Sequence, residues 1–285
     1  MLHILQLVSR SDLCSFVLVS RRAQEIAQSI LYRHLYFKAD PVRTLLLYST
    51  LIARHDLAAL VLSVDISTPS YRPEGLKLLL EMDNTTLKVI PLLVNLGELT
   101  ILSFHSHLRG HPLCPNEMLQ TLAALPLPLR KLDYTGITKG ATELGILIQR
   151  FPTITHLRLP PMMDNVEEIT KYEGCIPDLD TFGGEPKAAA RIVPGRPVVS
   201  VTLNATSPTF VDEHDEVFRA LSQSKRRVRH LSLNLRTFAD SLDSWMGGGD
   251  LIASLTQHLP DLQELHIGSK MPAAAWRSFI QQVRC

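Results

Sequence analysis

The chain has little net charge and no long hydrophobic run. Its 29 basic and 28 acidic residues leave a formal charge of +1, so no overall field attracts it to nucleic acid or to an anionic membrane. The longest unbroken apolar stretch runs from Leu57 to Leu62, far short of the roughly 20 residues that cross a bilayer. We therefore expect neither nucleic acid nor a membrane among its partners.

Cysteine is scarce as well. Cys14, Cys114, Cys175 and Cys285 lie 61 to 110 residues apart, with no C-x-x-C pair, whereas small secreted domains carry dense disulfide frameworks. The segment from Met1 to Val8 lacks the basic start and the small-residue cleavage site of a signal peptide. These features predict a cytoplasmic or nuclear protein.

Catalytic motifs are missing too. The sequence contains no G-x-S-x-G, H-E-x-x-H or Walker-type segment, so we predict that it is not an enzyme and uses no cofactor. His105, His107, His111 and Cys114 are residue types that suit zinc. They run from a predicted strand into a loop, where polar residues are expected, so we predict no metal. An enzyme with a site in this segment is the alternative of a different class.

In place of these motifs, the chain has a recurring apolar pattern. The spacing apolar-x-x-apolar-x-apolar predicts a strand with one buried face, and it returns about every 29 residues. We expect the first copy to start the series. His156, His230 and His266 adjoin middle apolar positions and should lie on the exposed strand face. The copies, of which the fifth is partial, are Val61–Ile66, Leu99–Phe104, Leu129–Tyr134, Ile154–Leu159, Leu179–Phe182, Val198–Leu203, Val228–Leu233 and Leu262–Ile267.

The segments between the copies have the spacing of amphipathic helices. Leu119, Leu122 and Ala123 precede one copy, for example, and prolines such as Pro152 and Pro260 separate helix from strand. Parallel neighbouring strands need crossovers of a dozen residues or more, usually helical. We predict an α/β solenoid of parallel strands with outer helices and one continuous core.

The repeats resemble leucine-rich repeats over about residues 40 to 285. The pattern of that family, L-x-x-L-x-L-x-x-N/C-x-L, is matched in its first six positions. The Asn/Cys position departs from it, because it is filled by His107, Ile137, Met162, Thr206, Arg236 and Lys270. The resemblance implies that residues 38–285 form a divergent leucine-rich-repeat solenoid of irregular curvature.

Residues 1–37 do not follow the repeat. Met1 to Val8 predicts a short apolar helix, and Ser9-x-x-Asp12 predicts the capped start of a second. That second helix has an apolar face of Leu13, Phe16, Val17 and Val19. Arg21-Arg22 opens a third helix with Ile26, Ile30 and Leu31. A unit under about 40 residues cannot hold a core unaided, so it must pack on the repeats, on a partner, or on both.

This segment is similar to the F-box of fungal F-box proteins, in which divergent leucine-rich repeats follow the F-box. The similarity lies in Leu5-x-Leu7-x-Ser9-Arg-Ser-Asp12-Leu13, Leu18-Val-Ser-Arg21-Arg22 and Ile30-Leu-Tyr32-Arg33-His34-Leu35-Tyr36. The family motif opens with a Leu-Pro-x-Glu run, and this chain begins after that point. The resemblance therefore implies a three-helix F-box-like segment at 1–37 whose start is truncated.

The resemblance also implies a function. F-box helices bind the Skp-type adaptor of an SCF-type cullin ubiquitin ligase, and the repeats hold the protein substrate, so the chain would need no catalytic residue. By position, the residues on or near the adaptor surface would be Leu5, Leu7, Leu13, Val17, Val19 and Ser20. The alternative is a leucine-rich-repeat interaction scaffold that is not coupled to ubiquitination. The protein substrate itself carries no signature in the sequence.

Overall fold

The computed structural model divides the chain into two compact units, Met1–Gly136 and Ile137–Cys285. The predicted domain border after residue 37 stays a prediction. The residues that the structure describes are 8–37, 40–67, 76–102, 115–135, 141–160, 175–205, 210–235 and 248–269.

The first unit opens with two capped helices, α1 (Arg10–Phe16) and α2 (Arg21–Leu31). The Ser9 hydroxyl accepts the Asp12 N–H at 3.2 Å and donates to the Asp12 carboxylate at 2.7 Å. This bonding confirms the predicted cap. Most of the helix predicted for residues 1–8 lies outside the described residues.

The two helices pack through a small apolar core. Leu13 and Ala27 are 2% and 0% exposed. Around them pack partly buried apolar side chains from both helices and the turns beside them, namely Val8, Val17, Ile26, Ile30 and Leu31. Helix α2 is the third helix of the prediction. Its predicted apolar positions, Ile26, Ile30 and Leu31, are therefore confirmed as its packing face.

The rest of the first unit alternates strands and helices. Its four strands are parallel and pair in chain order. The elements are β1 (His34–Phe37), α3 (Pro41–Ala53), α4 (His55–Ala58), β2 (Ser63–Ser67), α5 (Leu76–Val89), a 3₁₀ turn (Ile90–Leu92), β3 (Glu98–Leu102), α6 (Pro115–Ala124) and β4 (Lys131–Tyr134).

The series of strands starts one strand earlier than predicted. β1 pairs with β2 so that Leu35 lies opposite Val64, and Leu35 and Phe37 are buried. The Phe37 ring lies 4.7 Å from the ring of Tyr48 on α3. A strand of four residues with two buried side chains is too short to show a clear alternation in the sequence. Its residues were therefore interpreted as the end of the F-box-like segment and not as a strand.

The phase predicted for the third strand is wrong by three residues. Val64 pairs with Leu99 and Leu99 with Leu132, so Leu99, not Leu102, is the middle apolar residue. The motif in this copy is Leu96-Gly-Glu-Leu99-Thr-Ile101, and its three apolar side chains are at most 5% exposed. Leucines at 96, 99 and 102 let the pattern fit two frames, and only pairing with β2 selects one.

The second unit has the same construction. Its five strands are parallel and again pair in chain order. The elements are α7 (Ala141–Arg150), β5 (His156–Arg158), β6 (Thr181–Gly184), α8 (Pro186–Ile192), β7 (Ser200–Ala205), α9 (Phe210–Leu221), β8 (His230–Leu235), α10 (Gly248–His258) and β9 (Glu264–Ser269).

The middle apolar residues of this unit form one buried row. Leu157, Phe182, Val201 and Leu231 follow each other in register and are at most 2% exposed. Leu265 continues the row on β9, the last described strand, and is 40% exposed. All eight predicted strands are present. The α/β class, the parallel strands and the helices between them are confirmed.

Within each unit, a backbone ladder joins successive strands where each one begins. One carbonyl of each repeat accepts two consecutive N–H groups of the next repeat of that unit. The Leu62 carbonyl, for example, accepts from Gly97 and Glu98 at 2.9 and 3.0 Å, and the Val199 carbonyl accepts from Arg229 and His230 at 2.8 and 3.1 Å. Because these bonds use main-chain groups alone, they satisfy buried donors whatever the side chain.

Candidate functional site

The first candidate surface comprises the last residue of α1 and the turn that leads to α2, and we call it the 16–19 turn. It consists of Phe16, Val17, Leu18 and Val19, and three of these side chains are exposed, by 38%, 87% and 71% for Phe16, Leu18 and Val19. Val17 instead packs against the helical core. Single exposed apolar residues are ordinary, but three within four positions form a patch of the kind that marks interaction sites.

The residues that the resemblance assigned to the adaptor surface have different environments. Leu13 is buried inside the helical pair, so its side chain stabilises the packing of α1 against α2. Val19 is exposed, and exposed Ser20 caps α2 by accepting the Ala23 N–H at 3.1 Å. Leu5 and Leu7 lie outside the described residues.

Leu18, the most exposed residue of the turn, was absent from the predicted set. The available signal was the unbroken apolar run from Phe16 to Val19. α1 ends at Phe16, so the run continues past the helix, and four consecutive apolar side chains of a turn cannot all point toward one core.

The second candidate surface is the sheet face of the first unit that lies opposite its buried strand residues. Because side chains alternate along a strand, Tyr36, Asp65, Thr100 and Asp133 form one row across β1 to β4. We call these four residues the acidic row. Tyr36 is 52% exposed, and the other three are half-buried.

Asp65, like Asp133, has a buried carboxylate oxygen in this row. Its Oδ1 atom is buried and has no hydrogen-bond partner among the described residues. A carboxylate oxygen that has lost water without gaining a donor is costly to the folded chain.

The corresponding face of the second unit carries amide, hydroxyl and imidazole groups together with the charged side chains of Arg158 and Glu264. His156 and His266 are exposed and His230 is half-buried, so the prediction that these histidines lie on the strand face is confirmed. His230 Nδ1 lies 3.1 Å from the Glu264 carboxylate, and the Asn234 side-chain amide donates to Asn204 Oδ1 at 3.1 Å. These bonds link neighbouring strands along the face.

A third cluster of polar side chains joins helices α9 and α10. Asp215 Oδ1 accepts from the Ser254 hydroxyl at 2.8 Å and lies 3.0 Å from His258 Nε2, while Arg219 bonds Oδ2 at 2.6 Å. The bonds from Ser254 and then His258 lower the pKa of Asp215 to about 2. Ser254 donates to the carboxylate and not to the imidazole, so the cluster does not activate a serine nucleophile. It serves as a polar link between two helices.

The described residues contain two free thiols and no cluster of metal ligands. Among them, no group of three or more His, Cys, Asp or Glu side chains could hold a metal ion. The predicted zinc alternative, His105, His107, His111 and Cys114, lies outside them. Cys14 is a free, exposed thiol and Cys175 a free, half-buried one.

No described helix is both long and apolar enough to cross a membrane.

No protein-family model matches the chain, and no curated protein is significantly similar to it.

Proposed function

We propose that this chain is the substrate-recognition adaptor of an SCF-type cullin ubiquitin ligase. In this proposal the N-terminal helices bind a Skp-type adaptor, and divergent leucine-rich repeats bind a protein substrate. The observation that carries the proposal is the exposed 16–19 turn, a compact apolar surface on a capped helical pair placed directly before parallel-strand repeats.

Hydrated apolar side chains favour a partner at the 16–19 turn. Burying a leucine or valine side chain gains about 1.5–3 kcal/mol, and Leu18 and Val19 keep most of their surface in water. The helices that hold the turn are fixed by caps at both Ser9 and Ser20 and by their shared core. A preorganised turn loses little conformational entropy when a partner covers it.

The deciding experiment is co-precipitation of the intact chain with a purified Skp-type adaptor. We expect binding by the wild type and its loss in Leu18→Arg, which puts a charge into the apolar contact without touching the internal core. Val94→Arg is the matched control, since Val94 is an exposed apolar residue of the same unit, 54% exposed, far along the chain from the turn. Leu13→Asp would not separate contact from folding, because Leu13 is buried.

A leucine-rich-repeat interaction scaffold without ligase coupling is the second candidate. It is favoured by the burial of Leu13, which removes one assigned contact from the surface. If the wild type does not bind under conditions where a complete F-box does, the ligase proposal is wrong and the scaffold remains. Equal binding by Leu18→Arg and wild type would mean that the 16–19 turn is not the contact.

A further inference from the structure

We propose that the exposed face of helix α3 binds the same face of a second copy of this chain, with the two helices antiparallel. Such a dimer is independent of the proposed ligase role, because it is formed by residues outside the 16–19 turn. The starting point is a helix that is apolar on both sides, although only one side packs against the first unit.

The two sides of α3 differ in burial but not in character. Tyr48 and Leu51 face the core of the first unit and are 1% and 0% exposed. On the opposite side, Val42 and Leu46 are 56% and 64% exposed. A helix that is apolar all round is typical of one that is covered all round, so we expect a second contact on the outer side.

The polar groups on the outer side already have partners within the chain. The Ser49 hydroxyl donates to the Leu45 carbonyl at 2.9 Å. Arg43 is the one charged residue between positions 42 and 53, and its guanidinium lies 3.1 Å from the Asp40 carboxylate. Another apolar surface can therefore cover this side without leaving these groups unpaired.

The outer residues have the spacing of a contact between two helices. The exposed positions follow each other at intervals of four, three and four residues, namely Val42, Leu46, Ser49 and Ala53. We call these four residues the α3 seam. This alternation places side chains on one line along a helix and is the spacing of contact positions in coiled coils. The shape that fits the α3 seam is therefore another helix.

The order of large and small side chains selects a second copy in antiparallel orientation. The larger residues, Val42 and Leu46, lie in the first half of the seam. The smaller ones, Ser49 and Ala53, lie in the second half. When a two-fold axis relates two copies, each large residue meets a small one. Val42 then faces Ala53 of the other copy, and Leu46 faces its Ser49. A parallel pair would place large against large and leave gaps at the other end.

One flank of the seam adds an apolar pair. Leu45 is half-buried and Ile52 is 38% exposed. They lie seven residues apart, two helical turns, and therefore on the same flank. In the antiparallel arrangement, Leu45 of each copy approaches Ile52 of the other. The apolar contact is thus wider than the seam alone.

The charges at the two ends of α3 permit this contact. Asp40 pairs with Arg43 at the start of the helix, and Arg54 pairs with Asp56 just after its end. Each end is therefore locally neutral. Antiparallel helices bring the start of one beside the end of the other, and neither end presents an excess of like charge. The opposite ends of the two helix dipoles also lie side by side.

The size of the contact sets its strength. The 13 residues of α3 span about 20 Å, and a helix is about 10 Å wide, which gives a footprint of about 200 Å². A stable complex buries about 800 Å² per partner. We therefore expect a reversible dimer that forms as the protein concentration rises.

The test is sedimentation equilibrium of the full chain over a range of protein concentrations. We expect the mean mass to rise from 31.9 kDa toward twice that value. Leu46→Glu puts an unpaired charge into the seam and should raise the dissociation constant about tenfold or more. Val94→Glu is the matched control. It makes the same kind of change at a residue of the same unit that is 54% exposed, and it should leave the dissociation constant unchanged.

Disulfide cross-linking under mild oxidation tests the orientation. A mixture of Val42→Cys and Ala53→Cys proteins should form a bond between the two new thiols, identified by mass spectrometry of the digested dimer. Val42→Cys alone should not link to its own copy. The antiparallel arrangement separates these two positions by about 16 Å, beyond the reach of a disulfide.

Three results would overturn the proposal. The wild type could stay monomeric at every concentration, Leu46→Glu could associate as strongly as the wild type, or Val42→Cys could link to its own copy as readily as to Ala53→Cys. If Leu46→Glu loses the circular dichroism spectrum of the wild type, Ser49→Glu is the second variant in the seam and is judged by the same measurement.

Discussion

Substitution of Leu157 tests which face of strand β5 is buried. Its side chain is 1% exposed and lies in register with Phe182, which is 0% exposed. Truncating such a leucine to alanine costs about 2–5 kcal/mol, because transfer and cavity terms add. Leu157→Asp instead introduces a carboxyl group into an apolar layer, and we expect a loss of about 4 kcal/mol or more. That is a large part of the roughly 5–15 kcal/mol that stabilises a typical domain.

The loss caused by Leu157→Asp should grow with pH. Burial favours the neutral carboxyl, so its pKa in the folded chain is raised above the value of about 3.9 in the unfolded chain. Below that value the carboxyl is neutral in both states, and only a neutral polar group is buried. As the pH rises from the unfolded pKa to the folded pKa, the unfolded chain releases its proton first and is favoured.

The assay is urea unfolding followed by circular dichroism. His156→Ala is the matched control, because His156 is the exposed neighbour on the same strand. We expect this control to change the free energy of unfolding by about 0.5 kcal/mol or less. If Leu157→Asp lost no more stability than His156→Ala, the assignment of Leu157 to the core would be wrong.

Two further predictions concern polar contacts between helices. Asp215 has its pKa lowered to about 2 by hydrogen bonds from Ser254 and His258, so its contribution to stability is fully present above about pH 4 and is lost as the pH falls through 2. The stability difference between wild type and Asp215→Asn should shrink over that range in acid-unfolding curves, and a constant difference would contradict the assignment. Thr86 Oγ1, buried on α5, lies 2.8 Å from the Tyr48 hydroxyl. Thr86→Val should therefore cost about 1–2 kcal/mol in thermal unfolding, and an unchanged midpoint would show that this bond does not stabilise the fold.

The strands were predictable because burial of one sheet face imposes a local rule. A strand that buries alternate residues and follows a tight turn with one more buried residue produces apolar-x-x-apolar-x-apolar in any sequence context. Val198, Val201 and Leu203 follow that rule and are at most 1% exposed. The parallel order was also predictable, because every gap was long enough for a crossover and too long for a hairpin turn.

The errors arose where a local pattern fits more than one arrangement. Leu96, Leu99 and Leu102 satisfy the motif in two frames, and bonding of Gly97 and Glu98 to the Leu62 carbonyl decides between them. β1 is too short to show periodicity, and it is a strand because its backbone pairs with β2. Both outcomes depend on a partner strand that lies 29 or more residues away in the chain.

The candidate surfaces also depend on tertiary contacts that the sequence does not show. An apolar helix face does not reveal which of its residues meets a neighbouring helix, so Leu13 and Leu18 look alike in the sequence. Packing of α1 against α2 buries Leu13 and leaves Leu18 exposed. The unbroken apolar run indicates an exposed turn, but the sequence does not show which residues of the run are exposed. The packing of α1 against α2 decides that.

By itself, the sequence determined where the buried strand faces lie, where the helices between them begin, and that successive strands run parallel. These properties follow from hydrophobic periodicity, capping and connection length, which act over a few neighbouring residues. The tertiary structure alone decided that Tyr36, Asp65, Thr100 and Asp133 share one row. Their alignment depends on backbone pairing between segments about 30 residues apart, and shifting any strand by one residue would turn its member toward the core.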